Sequence, residues 1–219
     1  MALGTSNAMT MDGWQRPAEA APLSAESDER LVVRARAGEE PALEELFYRY
    51  RQPVFRFVMR MVNSKDDAED VTQDVFIRVY EHLKSFREEC RFSTWILRIA
   101  ANLCTDRARS RQRQTQLLQQ EATDRLEWMT HPHAPDPVEL AHGDQVSATV
   151  RRALNALPDH HKMMIVLRDL EEKQYEEIAE MLGCTIGGAK LRVLRARRAL
   201  KARLTPLLEQ IGEMENVRL

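Results

Sequence analysis

Between Ile186 and Arg203 the chain carries seven basic side chains (Lys190, Arg192, Arg195, Arg197, Arg198, Lys201 and Arg203) and no acid. The preceding stretch, Pro158 to Glu180, carries seven acids and three Lys or Arg. A solvated helix mixes signs, so a one-sign helix on an acidic base points to a polyanion. The bland alternative is a basic face that merely stays wet. The residues just upstream weigh against it. A short helical segment, Tyr175-Glu-Glu-Ile-Ala-Glu-Met-Leu182, meets a turn opened by Gly183 and then a longer helix from Ile186. That is a helix-turn-helix pattern, whose second helix lies in a DNA major groove. Gly183 supplies a positive φ at little steric cost, and Thr185 is placed to cap the second helix. Ile178, Ala179 and Leu182 are spaced to pack against Ile186, Ala189 and Val193.

Two other groups of residues invite chemistry. Asp66, Asp67, Glu69, Asp70 and Asp74 open one helical segment. Carboxylates there favour a helix N-terminus, which accounts for Asp66 and Asp67 better than for Asp70 and Asp74. The latter suit a basic partner. His131, His133 and His142 suggest a metal, yet they lie in a Pro-rich stretch with no HExxH helix or accompanying Cys set. His160-His161 reads as surface. Catalysis and bound cofactors are therefore not expected. Cys90, Cys104 and Cys184 form no CxxC pair and fit a reducing cytoplasm.

The elements that must hold these residues are helical. The 219 residues are 43 % hydrophobic and 30 % charged, with 8 Gly and 9 Pro, and Ala, Leu, Glu, Arg and Gln dominate. That composition excludes a wholly disordered chain and favours an all-α fold, and the length suits one large domain or two small ones. The longest aliphatic run, Met163 to Leu167, is far too short for a bilayer, so no membrane insertion is expected. The net charge of −2 hides the segregation of charge along the chain.

Residues 1–10, MALGTSNAMT, read as an expression leader before a native start at Met9 or Met11, and residues 1–26 together as tag and tail. A first helical domain is expected over 27–110. In it, Gly38 sits at a C-cap, Pro41 in a first turn, and Pro53 where it should kink or split a helix. Ser64 opens a helix with a capping-box-like start, carrying Ala68, Val71, Val75, Phe76, Val79 and Leu83 on one stripe. After a connector, Ser93 or Thr94 is placed to cap a helix with Trp95, Ile96, Ile99, Ala100 and Leu103 on one side. Residues 111–143 read as a linker with some transient helix, Gln-rich and then Pro-rich, able to span at most roughly 110 Å. A second domain follows over 144–211, where Pro158 stops one helix and Asp159 caps the next. A lone helix-turn-helix binds weakly, and an unlike helical unit upstream implies a second DNA contact within one chain.

These residues resemble bacterial sigma factors. Leu157-Pro158, Tyr175 to Gly183 and Lys190-x-Arg192-x-x-Arg195-Ala-Arg197 are similar to their fourth conserved region. Asp66-Asp-Ala-Glu-Asp-Val71 with Gln73, Asp74 and Phe76 resembles the second region, as does Phe92-Ser-Thr-Trp95 with Ile99-Ala100, Asn102, Asp106 and Arg109. The first and third regions of larger sigma factors have no room, a compact form similar to the extracytoplasmic-function group. The resemblance spans about residues 27–110 and 144–208.

It implies a factor that joins core RNA polymerase, on the clamp of the largest subunit and the flap of the second, and directs promoter choice and melting. Asp67, Asp70, Gln73, Asp74, Phe76 and Arg78 would dock on the clamp, with Phe76 and Val79 as apolar anchors. Phe86, Arg91, Trp95, Arg98, Asn102, Asp106 and Arg109 would meet the displaced minus-ten strand, which needs a stacking platform, an edge reader and a basic groove. Trp95, four residues before Ile99, fits a core residue as well as it fits a platform. Asn102 needs a partner if buried and can bond a base if exposed. Thr185, Gly188, Lys190, Leu191, Arg192 and Arg195 would face the minus-thirty-five duplex, with Arg197, Arg198 and Arg203 serving the backbone or lying away from DNA. Gly188 and Leu191 depart from the family pattern, which has Thr and Ser there, and Lys162 stands for a usual Arg. Promoter DNA and an anti-sigma factor are the remaining implied partners. A helix-turn-helix repressor, or an interaction protein without initiation activity, remains an alternative at this stage.

Overall fold

The computed structural model describes residues 25–87, 89–124 and 145–216, and all regular structure among them is helical, as the all-α reading expects. Eight α-helices follow in order: α1 (Asp28–Arg36), α2 (Glu40–Val62), α3 (Lys65–His82), α4 (Phe92–Asp124), α5 (Gln145–Asn155), α6 (Asp159–Ile165), α7 (Tyr175–Met181) and α8 (Ile186–Asn216). A 3-10 turn at Leu83–Ser85 follows α3, and a π turn at Val166–Leu170 follows α6. No helix among the described residues is long and apolar enough to cross a membrane. Packing separates the chain into two units, Met1–Met59 with Ser64–Ala100 and Arg60–Asn63 with Ala101–Leu219. His131, His133 and His142 lie outside the described residues.

In the first unit the apolar stripes of α1 to α4 face inward. Leu31, Leu46, Val54, Phe57, Val58, Val71, Val75 and Ile96 are all buried. Gly38, with φ +94°, ends α1, and its N–H donates to the Ala35 carbonyl at 3.0 Å. Asn63, with φ +61°, ends α2, and Ser64 Oγ then accepts from the Asp67 N–H at 3.4 Å to start α3. Pro53 lies inside α2, as expected, and does not split it. The proline costs about 3 kcal/mol. Burying Val54, Phe57 and Val58, each worth about 1.5–3 kcal/mol, outweighs it. A polar clasp ties α1 to α2: Arg49 donates to Asp28 Oδ1 at 2.7 Å and to Glu45 Oε1 at 2.9 Å, and the Tyr50 hydroxyl also donates to Asp28. Burial, helped by that carboxylate, pushes the Tyr50 phenol above its ordinary pKa.

An aromatic cluster holds the connector between α3 and α4. Phe86 and Phe92 are each 5 % exposed, and Trp95 is half-buried. Ring centroids lie 4.7 Å apart for Phe86–Trp95, 5.6 Å for Phe92–Trp95 and 5.0 Å for Tyr50–Phe92. Anchoring Phe92 there brings the start of α4 forward. The N–H groups of Thr94 and Trp95 donate to the Arg91 carbonyl, so neither Ser93 nor Thr94 is the cap. At its far end α4 runs on to Asp124, so residues 111–124 of the expected linker are helix.

In the second unit, α5, α6 and α7 each pack on α8, and the π turn joins α6 to α7, burying Leu154, Leu157, Met163, Met164, Ile165, Val166, Leu167, Ile178, Ala189, Val193 and Ala196. The Pro158 carbonyl accepts from His161 and Lys162, which makes Pro158 the cap and Asp159 the first helical residue, a correction of one position. Gly183 has φ +58°, as the turn requires. Thr185 caps α8, its Oγ1 accepting from the Gly188 N–H at 3.1 Å. Ile186 is 43 % exposed and so is not the core partner of α7 that its spacing suggested.

Two stability contrasts follow from this packing. Gly183→Ala should lower the unfolding free energy measured by urea titration by about 1–2 kcal/mol, the cost of a left-handed alanine. Gly187→Ala, helical and with open space around its Cβ, should raise it by up to about 1 kcal/mol. Phe86→Ala should cost about 3–5 kcal/mol in the same assay, whereas Tyr80→Ala, 70 % exposed in the folded chain, should stay within about 0.5 kcal/mol.

Candidate nucleic-acid interface

The rotation of α8 about its axis is set by a narrow apolar underside. Ala189, Val193 and Ala196 are buried against the rest of the helix-turn-helix unit, and the small Ala179 on α7 lets the two helices approach closely. At 100° per residue, Leu191 then points about 170° from the centre of that buried stripe. Lys190 and Arg192 flank it on opposite sides. Thr185, Lys190, Leu191, Arg192 and Arg195 are all exposed, and Gly188 is half-exposed, so the six residues expected at duplex DNA share the open surface of α8.

Two contacts organise the cations around this surface. The Tyr175 ring carries the Arg168 guanidinium at 4.7 Å and the Lys190 ammonium at 5.6 Å from its centroid. Arg197 donates to both Asp169 carboxylate oxygens, which raises its pKa and turns it toward the acidic base. It is thereby separated in role from Arg192 and Arg195. The Tyr175 contacts were not foreseen; an aromatic residue at the first position of α7, next to a basic helix, is the signal that a sequence offers for them.

Helix α4 presents a second polar stripe. Trp95, Arg98, Asn102, Asp106 and Arg109 fall within an arc of about 80° on one helix. Arg98, Asn102, Asp106 and Arg109 are exposed, as is Arg91 at the helix start, while Trp95 is half-buried. Asn102 is therefore available to a base edge. Arg109 lies 4.0 Å from Asp106, a loose surface pair that leaves its charge largely free. Phe86 is the exception. It is a core member of the aromatic cluster, which corrects its assignment as a strand-contacting residue.

On α3, Gln73, Asp74 and Arg78 are exposed together with Asp66 and Asp70, and Asp67 is half-buried. Phe76, expected here as an apolar anchor, is 7 % exposed and stacks on Phe47 with centroids 3.9 Å apart; Val79 is 3 % exposed. Both belong to the core. The apolar side chains on the outer face are instead Ile77 and Tyr80, at 48 % and 70 % exposure. The sequence carried a signal for them: they lie off the stripe that Val71, Val75 and Val79 define.

The chain is similar to known proteins over both units. The chain matches the family model described as Sigma-70 region 2 over residues 46–114 and that described as Sigma-70, region 4 over residues 147–200. It is 32 % identical to the RNA polymerase sigma-H factor of Pseudomonas aeruginosa, over 86 % of this chain and 99 % of that protein. It is also 32 % identical to the ECF RNA polymerase sigma-E factor of Haemophilus influenzae, over 83 % of this chain and 97 % of that protein. Among solved structures it is similar to the sigma factor RpoE of Bartonella quintana, solved with the anti-sigma factor NepR, at 25 % identity and a TM-score of 0.56 over 74 % of this chain and 96 % of that one. On these matches the chain belongs to the extracytoplasmic-function sigma factors, which direct RNA polymerase to promoters.

Proposed function

We propose that this chain binds core RNA polymerase through the outer face of α3, holds the unpaired minus-ten strand on the α4 stripe, and reads the minus-thirty-five duplex with α8. The polymerase supplies the chemistry and the chain supplies binding free energy and choice of site, acting in the cytoplasm. The observation that carries this reading is that one chain of the family presents two separate outward stripes of different composition. The α4 stripe joins an exposed amide, arginines and a half-buried indole, which suits bases whose edges and faces are both open. The α8 surface is cationic and apolar, which suits a groove floor walled by phosphates.

On α3, Asp70, Gln73 and Asp74 meet a basic partner while Ile77 and Tyr80 supply the desolvated centre. Buried aromatic anchors carry more binding energy than a rim of charges. The implied flap contact falls on region 4. The Bartonella relative is bound by an anti-sigma factor, and an inhibitor of that kind covering this chain's polymerase-binding faces is the regulation we infer.

Run-off transcription with core polymerase and a promoter library tests the reading: chain-dependent transcripts are expected, and their absence on every template refutes it. In the same assay, Arg192→Ala and Arg195→Ala should each weaken minus-thirty-five use by about 5- to 150-fold, the worth of one good base contact, with core binding retained. Asn102→Ala should impair open-complex formation, read by permanganate footprinting, more than initial duplex binding. Tyr80→Ala should weaken core binding without changing promoter preference.

A further inference from the structure

We propose that Leu191 sets the base preference of the upstream duplex through contact with a thymine methyl, with Lys190 and Arg192 reading guanine edges or phosphates on either side. The proposal rests on the assignment of α8 to duplex DNA and specifies the code that this particular helix can read.

The argument is one of donor and acceptor inventory. The helix-turn-helix brings the first turns of its second helix to the base edges. On α8 the outward side chains over those turns are Thr185, Ile186, Lys190, Leu191, Arg192, Leu194 and Arg195. None is Asn, Gln, Asp or Glu. Bidentate recognition of adenine needs a side-chain amide, and acceptance from the cytosine amino group needs a carboxylate, so neither base is read in that way. The one hydroxyl, Thr185 Oγ1, accepts from the Gly188 N–H at 3.1 Å at the start of α8, which leaves it a single O–H donor with no bidentate contact to offer. What remains are cations, which match guanine O6 and N7, and apolar surface, which matches only the thymine methyl.

The geometry puts the apolar surface in the middle. Leu191 is 46 % exposed, between Ile186 at 43 % and Leu194 at 45 % along the helix, and of the three it stands most nearly opposite the buried stripe, with Lys190 and Arg192 to its two sides. A helical side chain leans over the preceding turn. The turn before Leu191 carries Gly187, whose missing Cβ would meet no heavy atom within 4 Å. No side chain therefore covers Leu191 on the side toward which it reaches, and the backbone there can approach the groove floor closely. The position of Lys190 over the Tyr175 ring keeps its ammonium beside that apolar centre rather than across it.

The test exploits deoxyuridine, which has every hydrogen-bonding group of thymidine and lacks only the C5 methyl. Holoenzyme assembled from the full chain and core polymerase is used to select upstream duplexes from a randomised library. The selected promoters are then remade with each thymine in turn replaced by deoxyuridine. At one position the replacement should reduce promoter use about fourfold, the worth of one buried methyl. Leu191→Ala should erase that difference while preference at flanking guanine steps persists. Three results would overturn the proposal: deoxyuridine tolerated at every position by the unmodified chain; Leu191→Ala discriminating as the unmodified chain does; or Leu191→Ala losing core polymerase with no deoxyuridine effect, which would place the side chain on a protein partner. If no duplex yields a chain-dependent transcript, the sigma reading of α8 fails first and the proposal falls with it, a result distinct from the other three.

Discussion

The burial of Ala189, Val193 and Ala196 is the constraint from which the exposed chemistry of α8 follows. Three small or β-branched residues on one stripe fix how α8 is rotated. A slip of one residue would turn the helix by 100° and drive Lys190 or Arg192 into an apolar core, at a cost of several kcal/mol per unpaired charge. The positive φ at Gly183 and the Thr185 cap make the same choice locally, so turn chemistry and core packing agree. With the rotation fixed, the segregation of charge becomes a surface. Asp169, in the π turn before α7, holds Arg197 at the base of the motif, and the cations nearer the start of α8 are left facing outward.

The first unit is built by the same logic with a different outcome. Its apolar stripes consume Val71, Val75, Phe76 and Val79 of α3 and Ile96 and Ala100 of α4. What is left outside is an acidic face with two stray hydrophobes on one helix and an amide among arginines on the other. The aromatic cluster of Phe86, Phe92 and Trp95 links these two faces. It fixes the connector between α3 and α4 at both ends through ring packing.

Much of this was legible from residue types and spacing. The caps at Gly38, Ser64, Gly183 and Thr185 each carry a mechanism that reads directly from sequence, and each appears where its chemistry demands. The open positions of Asn102, Lys190, Leu191, Arg192 and Arg195 follow from the apolar periods beside them. Pro53 stays within α2 because its neighbours are buried. Where the reading failed, a tertiary term overrode a local one. Phe92 joins α4 because its ring is needed in the aromatic cluster, ahead of the hydroxyls expected to cap it. Phe76 and Phe86 turn inward because a helical stripe marks an apolar side chain without saying whether a partner or the core takes it, and Ile77 and Tyr80 take the outer positions instead. The continuation of α4 to Asp124 has no apolar period to announce it; Gln and Arg simply tolerate a helix.

The central claim is that one chain grips two different forms of DNA at one start site. Photo-crosslinking from single positions in a holoenzyme–promoter open complex tests it most directly, with a photoreactive residue placed at Leu191 in one preparation and at Asp106 in another. The account predicts that the first crosslinks double-stranded DNA upstream and the second crosslinks only the unpaired strand downstream, about two helical turns away. Crosslinks from both positions to the same duplex segment, or from neither to DNA, would contradict it.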